Sequence, residues 1–212
     1  MYKPVSLFVL FIFLTVVIHI NAVQFFDDTV MQAAAHMRQP WLNHVMLWCT
    51  QLGSSAFLLP LIIIVGAVLL AYTKTWDGIL LLVMFLCERL LNRGLKDWIE
   101  RARPAFEPLV RETSYSFPSG HSMNAACVYP VIAYLLVKHI PFLTARKKTV
   151  YTLICVLVAL VGASRIYLGA HFFTDVLGGF SVGLMLFFLL KLFDEKYRPF
   201  DKNRERKTGE KR

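Results

Sequence analysis

Six apolar segments, separated by polar connectors, restrict the fold of this chain more than any other feature. Hydrophobic residues make up 57% of its 212 residues and charged residues only 17%, a balance outside the range of soluble globular proteins. A helix of about 20 apolar residues spans the hydrocarbon core of a bilayer, where backbone polar groups must be paired within the helix. The chain is therefore predicted to be an all-α, polytopic membrane bundle of six transmembrane helices. The apolar segments cover approximately residues 5–22, 56–72, 79–91, 122–137, 150–162 and 172–193.

The first apolar segment, residues 5–22, has two interpretations. A lysine precedes it, as in a secretory signal peptide, but no clear small-x-small cleavage site follows the run. We therefore expect a retained first transmembrane helix. Residues 1–200 are expected to form a single integral-membrane domain with two long connectors, 23–55 and 93–121, and residues 201–212 a basic cytoplasmic tail.

The lysines and arginines are distributed unequally between the two sides of the predicted bundle. With six spans both termini share one side, which collects fifteen of the 23 basic residues, and the other side holds eight. The positive-inside rule then places both termini in the cytoplasm and the 93–121 and 163–171 connectors on the extracytoplasmic side of the cell membrane. Because topology explains most of the net charge of +9, nucleic-acid binding is not needed to account for it.

Three polar stretches stand beside the outer ends of predicted helices. Each has an ordinary explanation when taken alone. Basic residues near a helix end anchor lipid headgroups, a Pro-Ser-Gly turn caps a helix, and His171 and Asp175, one helical turn apart, form a structural hydrogen bond. Since the fold could bring all three stretches together, they are also considered as one site. The stretches are KDWIERARP at 96–104, PSGH at 118–121 and SRIYLGAHFFTD at 164–175.

Together the three stretches predict a phosphate-binding pocket. A phosphate ester carries close to two negative charges, and Lys96, Arg103 and Arg165 supply three positive ones. The turn at Ser119 and Gly120 opens a helix, so its backbone amides and the helix dipole would point at an anion. Glycine also allows the backbone to approach a ligand closely.

The two histidines add chemistry to this pocket. An imidazole with one nitrogen held by a carboxylate keeps the other nitrogen free as a nucleophile or base, and Asp175 is placed to hold His171 in this way. His121, at the mouth of the turn, is placed to protonate a leaving oxygen. The same two histidines and Asp175 could instead bind a metal. Three nearby cations would repel a divalent ion, so neither a metal nor another cofactor is expected.

The three stretches resemble the three-part signature of the type-2 phosphatidic acid phosphatase superfamily. They read Lys96-x6-Arg103-Pro104, Pro118-Ser119-Gly120-His121 and Ser164-Arg165-x5-His171-x3-Asp175, in order, within about residues 90–190. The resemblance implies a helical core and a phosphohistidine mechanism, in which His171 attacks phosphorus, Asp175 orients it and His121 protonates the leaving alcohol. It also implies that the phosphoryl oxygens are bound by Lys96, Arg103, Ser119, Gly120 and Arg165.

The expected activity is that of a membrane lipid phosphatase. The small size and basic tail are similar to bacterial members of the superfamily that dephosphorylate phosphatidylglycerophosphate, undecaprenyl pyrophosphate and related lipids. The vanadium haloperoxidases share the signature but are soluble proteins, which disfavours that alternative. A lipid transporter or lipid-binding protein would use the basic cluster without needing His171 as a nucleophile. The expected partners are the membrane and a lipid phosphate, and a monomer is compatible with the sequence.

Overall fold

The regular structure of the chain is helical throughout the residues that the computed structural model describes, which are 2–72 and 74–197. The predicted all-α fold is confirmed. Residues 201–212, predicted to be a cytoplasmic tail, lie outside the described residues. The helices are α1 (Tyr2–Val17), α2 (Asn21–His36), α3 (Pro40–Leu52), α4 (Ser55–Ala71), α5 (Thr75–Ile99), α6 (Gly120–His139), α7 (Pro141–Ala145), α8 (Lys147–Tyr167) and α9 (Phe173–Tyr197).

Three helices within the described ranges, α6, α8 and α9, are each long and apolar enough to cross a membrane. Two further pairs pass the same criterion only when each pair counts as one span, α1 with α2, bent by 97°, and α3 with α4, bent by 48°. The remaining predicted span, 79–91, lies within α5, which has 25 residues and charged side chains throughout its second half. The count of six spans and the cytoplasmic termini therefore stay predictions.

The region 23–55 differs from the connector that its polar residues predicted. Most of it is helical, because α2 and α3 occupy it almost completely. The second long connector is also shorter than expected, since α5 continues to Ile99 and only residues 100–119 join it to α6.

Glycines on α9 allow the closest helix packing in the bundle, against α6. A Cβ atom on Gly179 would lie 2.5 Å from the carbonyl oxygen of Ser119, and one on Gly183 would lie 2.5 Å from that of Met123. Both distances are too short for any residue but glycine. The contact brings the start of α6 against the first turn of α9, where the Ser119 amide donates to the carbonyl of Asp175 at 3.0 Å.

An ion-pair network ties three helices together at the opposite end of the bundle. Lys138 of α6 lies 3.2 Å from Asp77 of α5 and 2.8 Å from Asp194 of α9. Lys3 of α1 lies over the ring of Phe188 in the last part of α9, so the chain begins at this same end. The signature residues are all at the other end, where α5 and α8 finish and α6 and α9 begin.

Candidate active site

A cavity of about 310 Å³ lies where the three signature stretches meet. It is bordered by the last turns of α5, the first turn of α6, the 100–119 connector and the short loop between α8 and α9. Five of the eight predicted site residues line it, namely Lys96, Arg103, Gly120, His121 and His171. The other three, Ser119, Arg165 and Asp175, are almost completely buried behind its wall. The fold therefore brings the three stretches together at one end of the bundle.

The imidazole of His171 is held between a carboxylate and an arginine. Its Nδ1 lies 3.4 Å from Oδ2 of Asp175, and its Nε2 lies 3.4 Å from Nη1 of Arg103, a residue of the cavity wall. Burial lowers the pKa of His171 to about 4, and the hydrogen bond with Asp175 opposes this shift only in part. At neutral pH the ring is therefore uncharged, and with Nδ1 directed at Asp175 its Nε2 keeps a lone pair.

The carboxylate of Asp175 is fixed by donors other than His171. Its Oδ2 accepts from the backbone amide of Phe172 at 2.9 Å and from the hydroxyl of Ser116. Its Oδ1 accepts from Nη1 of Arg101 at 2.6 Å. By comparison, the 3.4 Å separation from His171 is longer than an ordinary hydrogen bond. Asp175 is therefore a rigid, fully satisfied acceptor toward which the histidine can close when charge develops on the ring.

Arg101 acts through this carboxylate and does not line the main cavity. Its guanidinium bridges Asp175 to Asp27 of α2, whose Oδ2 lies 2.8 Å from Nη2 of Arg101. Asp27 also accepts from the backbone amide of Thr174 at 3.1 Å. Sequence reasoning missed Asp27, since the two neighbouring acids within 23–55, Asp27 and Asp28, belong to no motif. Its complete burial on α2 becomes visible only in the folded chain.

Two of the three predicted phosphate-binding cations, Lys96 and Arg103, are oriented mainly by neutral groups. Nζ of Lys96 donates to the carbonyl of Tyr115 and, at 3.0 Å, to the hydroxyl of Ser114. Nη1 of Arg103 donates to the carbonyl of Ala170 at 2.8 Å. Neutral acceptors orient these side chains without cancelling their charge, so the positive potential of the cavity is preserved.

Arg165 is the most deeply buried of the three cations, with 1% of its surface exposed. Nη1 donates to the hydroxyl of Thr50 at 2.6 Å, and Nε is buried without any hydrogen-bond partner. Buried donors left unpaired cost free energy. The guanidinium thus has one donor, Nε, that no protein group within the described ranges uses.

A carboxylate of the protein itself occupies the basic cluster. Oε1 of Glu112 lies 2.5 Å from Nη2 of Arg165, and Oε2 lies 4.0 Å from Nη2 of Arg103. Burial by itself raises the pKa of Glu112, but the guanidinium of Arg165, with help from His121 and Arg103, outweighs burial and holds the pKa below its ordinary value. Glu112 is therefore an anion on the 100–119 connector, a role that no sequence pattern indicated.

Three residues of the PSGH turn, Ser119, Gly120 and His121, have different environments. Ser119 is the N-cap of α6, and its hydroxyl is engaged with the amide and hydroxyl of Ser122. Gly120 faces the cavity, where a Cβ atom would lie 3.0 Å from Oδ1 of Asn92. His121 follows it on the cavity wall and is half-buried. The open backbone at Gly120 and the imidazole of His121 are thus the parts of the turn that a ligand would meet.

The alternative metal site has no geometric counterpart in the residues that the structure describes. No group of three or more histidine, cysteine, aspartate and glutamate side chains in these ranges is arranged to hold a metal ion. The arrangement that is present combines a buried neutral histidine, a fixed carboxylate and three cations around a cavity. As a class, this is a membrane helical bundle with a basic cavity and a buried, uncharged histidine at one end.

Comparison with known proteins gives the family. Residues 77–199 match the PAP2 superfamily. The chain is 64% identical over 200 residues to phosphatidylglycerophosphatase B of Bacillus subtilis (strain 168), over 94% of this chain and 98% of that protein. It is also 27% identical over 157 residues to undecaprenyl-diphosphatase of Sulfolobus acidocaldarius, over 70% of this chain and 68% of that protein.

A solved structure agrees with these sequence matches. The crystal structure of a transmembrane PAP2-type phosphatidylglycerolphosphate phosphatase from Bacillus subtilis aligns with a TM-score of 0.92 at 64% identity, over 94% of this chain and 100% of that one. The protein belongs to the PAP2 superfamily, and the family resemblance of its three signature stretches is confirmed.

Proposed function

We propose that this protein removes a terminal phosphate from membrane lipids through a covalent phosphohistidine. The general class of this activity, a membrane lipid phosphatase, is confirmed by the superfamily and by the Bacillus subtilis relative. The observation that carries the mechanism is the environment of His171. Its ring is buried and uncharged, with a carboxylate at Nδ1 and, beside Nε2, an arginine of the basic cavity.

The first chemical step transfers the phosphoryl group to His171. The terminal phosphate displaces the Glu112 carboxylate, and its oxygens bind Lys96, Arg103 and Arg165. Nε2 of His171 attacks phosphorus, forming the P–N bond as the P–O bond to the lipid breaks. The positive charge that develops on the ring is stabilised by Asp175.

His121 takes part in both steps. Burial lowers the pKa of His121 to about 3, so its ring is neutral before the substrate binds. In the first step the ring takes the proton of the substrate's monoprotonated phosphate and gives it to the leaving lipid oxygen.

The second step releases inorganic phosphate. The ring of His121 then takes a proton from a water molecule, whose oxygen attacks phosphorus and breaks the P–N bond. Gly120 completes the binding of the phosphoryl oxygens through the backbone at the start of α6. Ser119, whose amide donates to Asp175 and whose hydroxyl is bonded to Ser122, holds this turn in place and is not itself a phosphate ligand. His171 returns to its neutral form for the next cycle.

The proposed substrates are lipids with a phosphomonoester or pyrophosphate headgroup. The names of the two relatives, phosphatidylglycerophosphatase and undecaprenyl-diphosphatase, support the phosphatidylglycerophosphate and undecaprenyl pyrophosphate classes, and phosphatidic acid is the simplest lipid of this kind. The proposed hydrolysis steps use residues of one chain and require no partner protein, so we propose that a monomer is sufficient.

Phosphate release from purified lipids tests the proposed mechanism. Wild-type protein in detergent is expected to release phosphate, and His171→Ala is expected to show neither turnover nor a covalent adduct. Rapid quench with a phosphorus-labelled lipid should trap acid-labile, base-stable label on the wild type, and His121→Ala should accumulate it. Turnover by His171→Ala would rule out the covalent route. Lipid binding without turnover in the wild type would instead favour the transporter or lipid-binding alternative.

A second comparison tests the assignment of the cations. Arg165→Ala is expected to lower kcat by about 10²–10³, the usual cost of one donor to a transferring group. Arg111 is exposed on the 100–119 connector and lies outside the cavity wall, so Arg111→Ala is a charge-matched control. Equal losses in the two variants would overturn the assignment.

We also propose that the cavity opens on the extracytoplasmic side of the cell membrane. The excess of basic residues in the sequence on the side of the predicted cytoplasmic termini supports this orientation. In a background with the four native cysteines replaced, an impermeant thiol reagent added to intact cells should label Glu107→Cys. Lys147→Cys, which is exposed at the other end of the bundle, should remain unlabelled. The reverse labelling pattern would place the chemistry in the cytoplasm.

A further inference from the structure

Two arginines on α5 extend the basic wall of the cavity away from the phosphoryl site. Arg89 and Arg93 are one turn apart, and both line the same cavity as Lys96, His121 and His171. At about 1.5 Å per residue, Arg89 lies roughly 10 Å along the helix from Lys96. The cavity is therefore longer than a single phosphate requires.

Neither arginine is committed to another part of the protein. Both side chains are exposed, and neither forms a hydrogen bond or an ion pair within 2–72 and 74–197. Two acids are nearby on the same helix. Glu88 is fully buried without a hydrogen-bond partner, although its carboxyl lies within coulombic range of Arg89, and Asp97 lines the cavity one turn beyond Arg93. Since neither acid forms a hydrogen bond or a salt bridge with Arg89 or Arg93, the donors of both guanidinium groups are available to a ligand.

Arg89 and Arg93 lie on the side of the cavity that the acyl chains of a bound lipid would occupy. Residue numbers on α5 increase toward the phosphoryl site, so Arg93 and then Arg89 lie progressively closer to the middle of the bundle. A lipid whose terminal phosphate is at Lys96 must have its acyl chains on that side. Any second phosphate, between the terminal phosphate and the chains, would therefore pass along these arginines.

We propose that Arg89 and Arg93 form a binding site for a second phosphate group of the substrate. This inference rests on the proposed lipid phosphatase activity and specifies its substrate class, namely lipids with two neighbouring phosphates. Two lipids have this chemistry, phosphatidylglycerophosphate, with a phosphodiester beyond a glycerol spacer, and polyprenyl pyrophosphate, with a directly linked second phosphate. Phosphatidic acid has one phosphate and would not use the site. Arginine suits the task because its planar group binds phosphate with two parallel hydrogen bonds.

The alternative is that the arginines anchor general lipid headgroups at the membrane surface. The two explanations differ in substrate dependence. Headgroup anchoring affects every substrate equally, whereas a second-phosphate site affects only lipids that carry a second phosphate.

The test compares kcat/KM for three lipids in mixed micelles: phosphatidylglycerophosphate, a polyprenyl pyrophosphate, and phosphatidic acid with the same acyl chains as the first. Arg89→Ala combined with Arg93→Ala is expected to lower kcat/KM for at least one two-phosphate lipid by tenfold or more, since a hydrogen bond to a charged group contributes about one tenfold step or more. For phosphatidic acid the change should stay within about twofold. The single variants then distinguish the two kinds of lipid. Arg89→Ala should lower kcat/KM more for phosphatidylglycerophosphate, whose second phosphate lies beyond a glycerol spacer, than for the polyprenyl pyrophosphate. The charge-matched control is Arg111→Ala, which should leave all three values unchanged.

Three results would overturn the inference. These are an equal loss on all three lipids, no loss on either two-phosphate lipid, and a wild type that hydrolyses phosphatidic acid but neither two-phosphate lipid. Each leaves the phosphatase activity itself intact. Failure of the proposed function is a different outcome, in which the wild type releases phosphate from none of the three lipids.

Discussion

Substrate and Glu112 compete for the same arginine, so removing the Glu112 charge should tighten anion binding. Glu112 forms a charged hydrogen bond with Arg165 at 2.5 Å and lies 4.0 Å from Arg103. A phosphate that binds both arginines must first break the contact with Arg165. Glu112→Gln keeps the size and shape of the side chain but replaces the carboxylate with a neutral amide, which competes less strongly for the guanidinium.

The size of the effect follows from the difference between a charged and a neutral acceptor. Hydrogen bonds to charged groups contribute about 1.5–3 kcal/mol and neutral ones about 0.5–1.5 kcal/mol, a difference of about 1–1.5 kcal/mol. The contribution from Arg103 is smaller, because 29% of the Glu112 side chain is exposed to solvent and water screens the pair. A difference of this size corresponds to about fivefold to tenfold tighter phosphate binding.

The assay is competitive inhibition of lipid hydrolysis by inorganic phosphate, at pH 7, with the inhibition constant compared between variants. Glu107→Gln is the matched control, since it makes the same chemical change at an exposed position on the same connector. We expect the inhibition constant to fall fivefold to tenfold for Glu112→Gln and to stay within twofold for Glu107→Gln. An unchanged or higher constant for Glu112→Gln would refute the competition argument. An equal decrease in both variants would show that net charge, and not occupancy of the site, is responsible.

Three further predictions follow from the contacts around His171. Asp175→Asn keeps the shape but loses the charge that stabilises the imidazolium, and should lower kcat by up to about 10⁴ in the phosphate-release assay. The same change removes one carboxylate from Arg101, so the melting temperature should also fall. Asp27→Ala leaves the mostly buried Arg101 with one carboxylate in place of two. Breaking a buried pair costs about 3–5 kcal/mol, so the melting temperature should fall by roughly 6–20 °C, and an unchanged melting curve would contradict the role given to this pair. Because burial lowers the pKa of His171 to about 4, the nucleophile stays neutral down to that pH. The acid limb that His171 contributes to kcat/KM should therefore fall near pH 4 and not near the ordinary histidine value of about 6.5.

The site residues that could be predicted from the sequence are those that local spacing links to one another. His171 and Asp175 are one helical turn apart, and Lys96 and Arg103 flank one helix end, so their convergence required only that helix ends meet on one side of the membrane. The structure brings these residues to one cavity. The helical class was predictable for the same reason, since apolar length is a local property.

The residues that sequence reasoning missed depend on contacts between distant parts of the chain. Asp27 reaches Thr174 across 147 positions, and Glu112 meets Arg165 across 53. Neither acid belongs to a spacing pattern, and α2 and α3 were mistaken for a connector because their apolar residues are mixed with polar ones. In the fold two of those polar residues are buried and accept hydrogen bonds from the arginines of the site. Asp27 accepts from Arg101, and Thr50 accepts from Arg165.

Two kinds of cation occur in the bundle, and they differ in how their charge is balanced. Arg101 at the site end and Lys138 at the far end each lie between two buried aspartates, whereas none of the predicted phosphate-binding cations does. The charge of Lys138 serves the packing of α5, α6 and α9. At the site end Lys96 and Arg103 are oriented largely by carbonyl and hydroxyl groups, which leave the positive charge uncancelled. Arg165 has a single carboxylate partner, on a connector outside the helices. The glycine contacts between α6 and α9 supply packing at this end without a salt bridge, so stability there does not depend on neutralising the cations that a phosphate must bind.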